Sequence, residues 1–82
     1  MILEIVTPEQ TFFRGEVDSV TLPGVSGSFQ ILNNHAPLIS SLKKGMLAFS
    51  ADGKESEMEI TDGFVEVNHN NVTVLIDKIR NM

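Results

Sequence analysis

The chain has 82 residues, no cysteine, and 11 acidic against 6 basic side chains, which give a formal net charge of -5. Its length predicts a single domain, residues 1–82, and the lack of cysteine excludes a disulfide framework and a thiolate metal site. The scattered lysines and arginines argue against nucleic acid as a partner, and no apolar run approaches the ~20 residues that span a bilayer.

The chain length indicates whether a partner is needed for stability, and the amino-terminal sequence indicates whether the chain is exported. At this length a single core is only marginally sufficient without cross-links, so the size favours a chain that a partner surface stabilises. The amino terminus lacks the charged start and apolar core of a signal peptide. We therefore expect the chain to stay in the compartment where it is made.

Taken in chain order, the dominant hydrophobic period is two, which predicts short strands. The predicted strands are residues 2–6, 10–13, 17–22, 29–32, 38–42, 46–51, 55–61, 64–67 and 72–77. The predicted turns lie at Pro8, Arg14-Gly15, Pro23-Gly24, Asn33-Asn34, Lys44-Gly45, Asp52-Gly53, Asp62-Gly63 and residues 68–71. Residues 75–80 either end the last strand or begin a helical turn. This pattern of nine short strands predicts an all-β fold, an antiparallel β-sandwich or flattened barrel.

Two patterns that suggest chemistry have simpler interpretations. Glu55, Glu57 and Glu59 alternate along one strand, so we interpret them as solvated charges that oppose aggregation and not as a tuned acid and base pair. Gly24 and Gly27 suggest a phosphate-binding loop, but that loop must be followed by a helix, and the residues after Gly27 alternate like a strand.

The two histidines and the adjacent phenylalanines could each contact either the chain itself or a partner. His69 lies among asparagines in a predicted turn and is interpreted as solvated. His35 follows the Asn33-Asn34 corner, and residue chemistry alone favours a hydrogen bond to its own loop over contact with a partner. Phe12 and Phe13 are adjacent, so one must point inward and the other outward in an extended strand.

Residues 22–38 read L-P-G-V-S-G-S-F-Q-I-L-N-N-H-A-P-L. This order resembles the amino-terminal domain of the epsilon subunit of F-type ATP synthase. Further segments are similar to its other strands and its central hairpin: L-E-I-V-T-P-E (3–9), F-R-G (13–15), S-L-K-K-G-M (41–46), G-F-V-E-V (63–67) and N-V-T-V-L-I-D (71–77). The resemblance covers essentially the whole chain. It implies a two-layer antiparallel β-sandwich (flattened barrel) of two five-stranded sheets, about ten short strands in all.

The resemblance also implies a function. In this family the domain clamps the gamma subunit onto the ring of membrane-embedded c subunits, so that proton flow is coupled to ATP synthesis. It implies a peripheral position on the cytoplasmic side of a bacterial inner membrane. It further implies no catalytic centre, no cofactor and no bound ATP in this chain.

Matching positions are expected at two interfaces. Facing the gamma subunit are Thr7, His35, Ser40 and Met46. Facing the polar loops of the c-ring are Ser28, Phe29 and Gln30. Relatives often carry a carboxylate at the position of Ser28, so the resemblance implies a ring contact that relies on hydrogen bonds more than on charge.

Typical relatives continue into two helices that carry an ATP-binding motif and can block rotation. If the 82 residues are the natural protein, we expect structural coupling without inhibition or ATP sensing; if they are an excised domain, regulation is simply absent from it. A free-standing small-ligand or carbohydrate-binding sandwich is the alternative, disfavoured because the chain has no tryptophan or tyrosine platform. An enzyme is disfavoured because no matched acid and base pair is found.

Overall fold

A computed structural model describes residues 1–80 of the chain. It contains ten strands: β1 Ile2–Val6, β2 Thr11–Glu16, β3 Ser19–Gly24, β4 Gly27–Leu32, β5 Leu38–Leu42, β6 Gly45–Ala51, β7 Lys54–Ile60, β8 Gly63–Asn68, β9 Asn71–Ile76 and β10 Ile79–Arg80. The all-β prediction is confirmed. The short β10 settles the alternative left open for residues 75–80, because Ile79 pairs with Ile60 in an antiparallel ladder.

The strands form two groups of five in one curled sheet. The first sheet has the order β4-β3-β6-β7-β10, and the second sheet has the order β5-β8-β9-β1-β2. A single bridge between Gly24 and Leu42 makes the two continuous. All pairs are antiparallel except β1 with β9, whose residues pair in parallel from Ile2 opposite Asn71 to Val6 opposite Leu75. Parallel pairing is possible there because most of the chain separates these strands, so no hairpin constrains their direction.

The core lies between the two sheets and is filled mainly by alternate side chains of the strands, although β2 and β10 contribute only the partly buried Phe13 and Ile79. Its fully buried members include Leu3, Ile5, Leu22, Ile31, Leu47, Ile60, Val65 and Val74. The rings of Phe13 from the second sheet and Phe49 from the first have centroids 4.5 Å apart, which closes the sandwich on that side. Phe12 is 40% exposed, so the prediction of one inward and one outward phenylalanine is confirmed.

Two predicted turns are wrong. Arg14 and Gly15 lie inside β2, and Pro23 and Gly24 lie inside β3, where Gly24 pairs with Gly27. A Cβ at Gly24 would stand 2.7 Å from the carbonyl oxygen of Gly27 and 2.8 Å from Cε1 of Phe29. Gly24 is therefore required for close packing of a neighbouring strand and ring, while the turn itself lies two residues later.

Other turns are confirmed by their backbone angles. Asn34 has a φ of 64°, and Asp52 and Gly53 have φ of 53° and 76°. Asparagine, aspartate and glycine tolerate this left-handed conformation best, so the sequence placed these corners correctly. Pro37 directly precedes β5, which spans Leu38–Leu42 as predicted.

Candidate partner-docking surface

The outer face of the second sheet carries a row of apolar side chains. Strand register places Val6 opposite Leu75, Leu75 opposite Phe64, and Phe64 opposite Ser41. Phe64 is 56% exposed and Leu75 47%. Val25 extends the row, since its N–H donates to the carbonyl oxygen of Ser41 at 3.2 Å. We call Val6, Leu75, Phe64 and Val25 the apolar row; Ser41 lies between Phe64 and Val25.

The apolar row lies in an open groove of about 990 Å³ at the ends of the strands. Lys43 and Lys44 follow β5, Asp62 precedes β8, and Asp77 follows β9, so all four lie at the same end of the second sheet. Leu42 pairs with Gly63, which places Asp62 beside Lys43. The groove therefore combines an apolar floor with charges of both signs at its rim.

Gly63 shapes the groove floor. It pairs with Ile76, and a Cβ built on it would lie 2.1 Å from the carbonyl oxygen of Leu75 and 3.0 Å from Cγ2 of Ile76. Only glycine permits β8 and β9 to approach this closely. The close pairing sets Phe64 and Leu75 side by side on the outer face.

Three of the residues expected at the gamma interface lie in or beside the second sheet. Thr7 follows β1, lines the groove, and donates from Oγ1 to the carbonyl oxygen of Gln10 at 3.1 Å. Ser40 is half-buried and pairs with Val65, so its side chain is on the inward face of β5. Ile39, beside it, is 75% exposed.

His35 lies at the opposite end of the second sheet from Thr7. Its Nδ1 is 2.7 Å from the carbonyl oxygen of Ala36, the local hydrogen bond that residue chemistry favoured, and its side chain is exposed. The loop is fixed from outside, since Asn34 N–H donates to Oδ1 of Asn70 at 2.8 Å. The strand β5 joins the His35 end to the groove end.

Met46 lies apart from these residues. It is 40% exposed on β6, in the first sheet, and pairs with Glu59. Glu55 and Glu57 are exposed and Glu59 is half-buried on the same face, while Met58 and Ile60 are buried. The three carboxylates share one face as predicted, but only Glu55 and Glu57 are fully exposed, so the three are not equivalent. The expected gamma residues therefore do not form one contiguous patch, because Met46 belongs to the other layer.

The expected c-ring residues lie on the β3–β4 hairpin, whose tip is Val25 and Ser26. Ser28 and Gln30 are exposed, whereas Phe29 is half-buried and packs against the core. The phosphate-loop interpretation is excluded, because residues 27–32 form a strand. Residues 19–42 contain no Asp, Glu, Lys or Arg, so the hairpin presents an uncharged surface.

Sequence reasoning missed Val25, Phe64 and Leu75. The sequence does carry a signal for Phe64 and Leu75. In a half-buried strand, strict alternation places a polar residue at each outward position. Phe64 is followed by apolar Val65, and Leu75 is preceded by apolar Val74, so one apolar residue of each pair must face outward. In residues 1–80 no group of three or more His, Asp or Glu side chains is arranged to hold a metal ion. The same part of the chain has no helix that is long and apolar enough to cross a membrane.

Comparison with known proteins gives a consistent result. Residues 1–82 match the family described as ATP synthase, Delta/Epsilon chain, beta-sandwich domain. The chain is 44% identical over 78 residues to the ATP synthase epsilon chain of Chlorobaculum tepidum, covering 94% of this chain and 89% of that one. It is 46% identical over 78 residues to the ATP synthase epsilon chain of Symbiobacterium thermophilum, of which it covers only 56%.

A solved structure shares the fold. A chain in the mitochondrial ATP synthase of Euglena gracilis, described as OSCP/F1/c-ring in rotational state 1, superposes with a TM-score of 0.93 at 23% identity. The superposition covers 99% of the present chain and 52% of that one. The two-sheet architecture is therefore common to both.

Proposed function

Because the chain belongs to the Delta/Epsilon chain family of ATP synthase, we propose that it is the epsilon subunit of the central stalk and docks the gamma subunit onto the c-ring. It would couple rotation and proton transport to ATP synthesis without a catalytic centre of its own. Its position would be peripheral, on the cytoplasmic side of a bacterial membrane. The free-standing ligand-binding alternative is not favoured, since the matching family and relatives are ATP synthase subunits.

The apolar row carries this proposal. Phe64, Leu75 and Val25 expose about half of their surfaces on one face, and exposed apolar patches of this kind are typical of interaction sites. We propose that gamma covers the groove and continues along β5 past Ile39 to His35. That path accounts for Thr7 and His35 together although they lie at opposite ends of the second sheet.

Ser40 and Met46 take smaller parts in this proposal. The Ser40 side chain is on the inward face, so it would act by holding β5 in place beneath gamma. Met46 would contact gamma only if gamma wraps onto the first sheet. Substitution of either residue should therefore weaken gamma binding less than a change in the apolar row.

The β3–β4 hairpin is the proposed contact with the c-ring. Ser28 and Gln30 would hydrogen-bond the polar ring loops, and Phe29 would support the hairpin from inside. The hairpin has no ionised side chain, so this contact should be insensitive to salt. Mutation of Ser28 to Ala tests the hydrogen-bonding role through loss of ring association.

Phe64→Ser tests the gamma interface. A phenylalanine buries 150–250 Å² when fully covered, so the 56% that is exposed here leaves about 110 Å² for gamma to cover. At about 25 cal/mol per Å² this corresponds to ~2.8 kcal/mol, or about a hundredfold in Kd. The free-standing chain should keep its stability, because the ring is on the outer face.

The measurement is the Kd of the complex with purified gamma from the same source, by titration calorimetry, with mass and stoichiometry from light scattering. Leu32→Ser is the matched control, since Leu32 is 54% exposed but lies on the outer face of the first sheet. A one-to-one complex that Phe64→Ser weakens and Leu32→Ser does not is expected. If both variants weaken gamma binding equally, the gamma interface does not lie on the apolar row. If no complex with gamma forms at all, the stalk assignment is refuted.

A further inference from the structure

We propose that Glu66 orients gamma on the second sheet by pairing with a lysine or arginine side chain that gamma brings to the middle of this face. Glu66 is exposed on β8, two residues after Phe64 and on the same side of the strand. This pairing rests on the proposed function, since it requires gamma on the outer face of the second sheet. It adds the charge that the gamma surface must carry and the point at which it must carry it.

Glu66 is the one charge in an otherwise uncharged part of the face. The outward side chains of β5, β8 and β9 are Ile39, Ser41, Phe64, Glu66, Asn68, Asn71, Thr73 and Leu75. Among these only Glu66 is ionisable, and the lysines and aspartates of the groove rim lie at the strand ends. Because charged residues are depleted at the centres of interfaces, a lone carboxylate beside exposed Phe64 points to a specific partner group.

Glu66 also lies where gamma must pass. Register sets Ile39 opposite Glu66 and Ser41 opposite Phe64, so these four residues are the corners of a rectangle. Its sides are about 7 Å along each strand and about 5 Å between the strands. Phe64 and Ile39, which are 56% and 75% exposed, occupy opposite corners. A gamma surface that covers both of them, as the path along β5 to His35 demands, also covers Glu66.

Within residues 1–80 the strand register gives Glu66 no basic neighbour. The residues next to it on the face are Ile39 and Thr73 across the strands and Phe64 and Asn68 along β8. Glu4, in the same row, differs, because register sets it directly opposite Arg14 of β2. A carboxylate that is covered without a partner loses its hydration uncompensated. Gamma must therefore supply the positive charge over Glu66.

The pairing would select the orientation of gamma, whereas the apolar row supplies most of the attraction. Burial of apolar surface is non-directional, so the apolar row by itself accepts an apolar surface in several orientations. A cation over Glu66 fixes one further point beside that row, and charges across an interface select the register in this way. The charges of the groove rim contribute little, because they are exposed to water at the strand ends.

Charge substitution at Glu66 tests the pairing. Glu66→Gln keeps the size of the side chain but removes its charge, and we expect the Kd for gamma to rise about thirtyfold. Glu66→Lys sets two cations together and should raise the Kd at least about a hundredfold. Glu57→Lys is the matched control, because it makes the same change in net charge at an exposed position of β7, in the first sheet. It should change the Kd by less than about threefold.

Titration calorimetry with purified gamma measures each Kd, and urea unfolding followed by circular dichroism checks that each variant is folded. Because Glu66 is on the outer face, its variants should be about as stable as the wild-type chain. A second measurement identifies the cation. Each exposed lysine or arginine of gamma is changed to glutamate in turn, and one of these changes should restore the binding of Glu66→Lys. A merely structural role for Glu66 would give no such rescue.

Three results would overturn the pairing: Glu66→Lys that binds gamma as well as Glu57→Lys does, Glu66→Gln with the wild-type Kd, or no gamma variant that restores binding. A complex that Phe64→Ser weakens and the Glu66 variants do not would refute the pairing and leave the stalk function intact. No complex between gamma and the wild-type chain would refute the stalk assignment itself, and the pairing with it.

Discussion

Gly63→Ala is the sharpest test of how the groove is built. The new Cβ would lie 2.1 Å from the carbonyl oxygen of Leu75, a distance that real Cβ atoms essentially never show. Its nearest atoms are backbone and a short branched side chain on β9, so no flexible group can move aside. The strands β8 and β9 must therefore separate by about 1 Å at the pair of Gly63 and Ile76.

The magnitude follows from that separation. Overpacking that forces a backbone shift costs about 1–3 kcal/mol, and a weakened ladder hydrogen bond adds about 1 kcal/mol. We expect Gly63→Ala to lower the free energy of unfolding by about 3 kcal/mol. A domain of 82 residues has a total of only ~4–12 kcal/mol, so the loss is a large fraction of its stability.

The assay is urea denaturation followed by far-ultraviolet circular dichroism, because the chain has no tryptophan or tyrosine for fluorescence. Gly53→Ala is the matched control. Gly53 has a φ of 76° but no atom within 4 Å of a built Cβ, so it should lose only the left-handed penalty of about 1 kcal/mol. If Gly63→Ala proves as stable as Gly53→Ala, the close-approach argument is refuted.

Three further predictions concern stability and local order. Leu47→Ala removes a fully buried side chain and should cost about 2–5 kcal/mol in urea unfolding, and a loss below 1 kcal/mol would show that the core collapses around the site. Thr61→Val removes the Oγ1 that accepts from Lys78 N–H at 3.0 Å, so amide exchange in β10 should quicken while β8 is unaffected. Asn70→Gly keeps the positive φ at this position but removes the side-chain oxygen that accepts from Asn34 N–H. We expect faster amide hydrogen exchange at Asn34 with little change in the free energy of unfolding. An unchanged exchange rate at Asn34 would contradict the proposed hydrogen bond.

Much of the fold could be predicted because strand signals here are local. Alternation located β1 and β5 to the residue, and the Asp52-Gly53 corner forms a hairpin with the expected left-handed angles. The errors share one cause. At Gly24 and Gly15 the sequence offers a glycine without saying whether it serves a turn or the approach of another group, and neighbouring Phe29 and Phe13 decide that in three dimensions.

The candidate site was predicted less well than the fold. The resemblance named Thr7 and His35 as gamma contacts, and the structure places Thr7 in the groove lining and His35 on an exposed corner, but the resemblance did not name Phe64 or Leu75. An outward apolar residue in a strand looks like a core residue until its neighbours are known. Its significance appears only when pairing sets several such residues in one row.

The sequence by itself determined an all-β fold, the positions of most strands, the shared face of the β7 carboxylates and the family, because alternation, turn chemistry and motif order are properties of adjacent residues. Only the tertiary structure decided that β1 pairs in parallel with β9, and that Val6, Leu75, Phe64 and Ser41 share one face. These pairings join residues far apart in the chain. They depend on the closing of the sheet around its core, which no local pattern specifies.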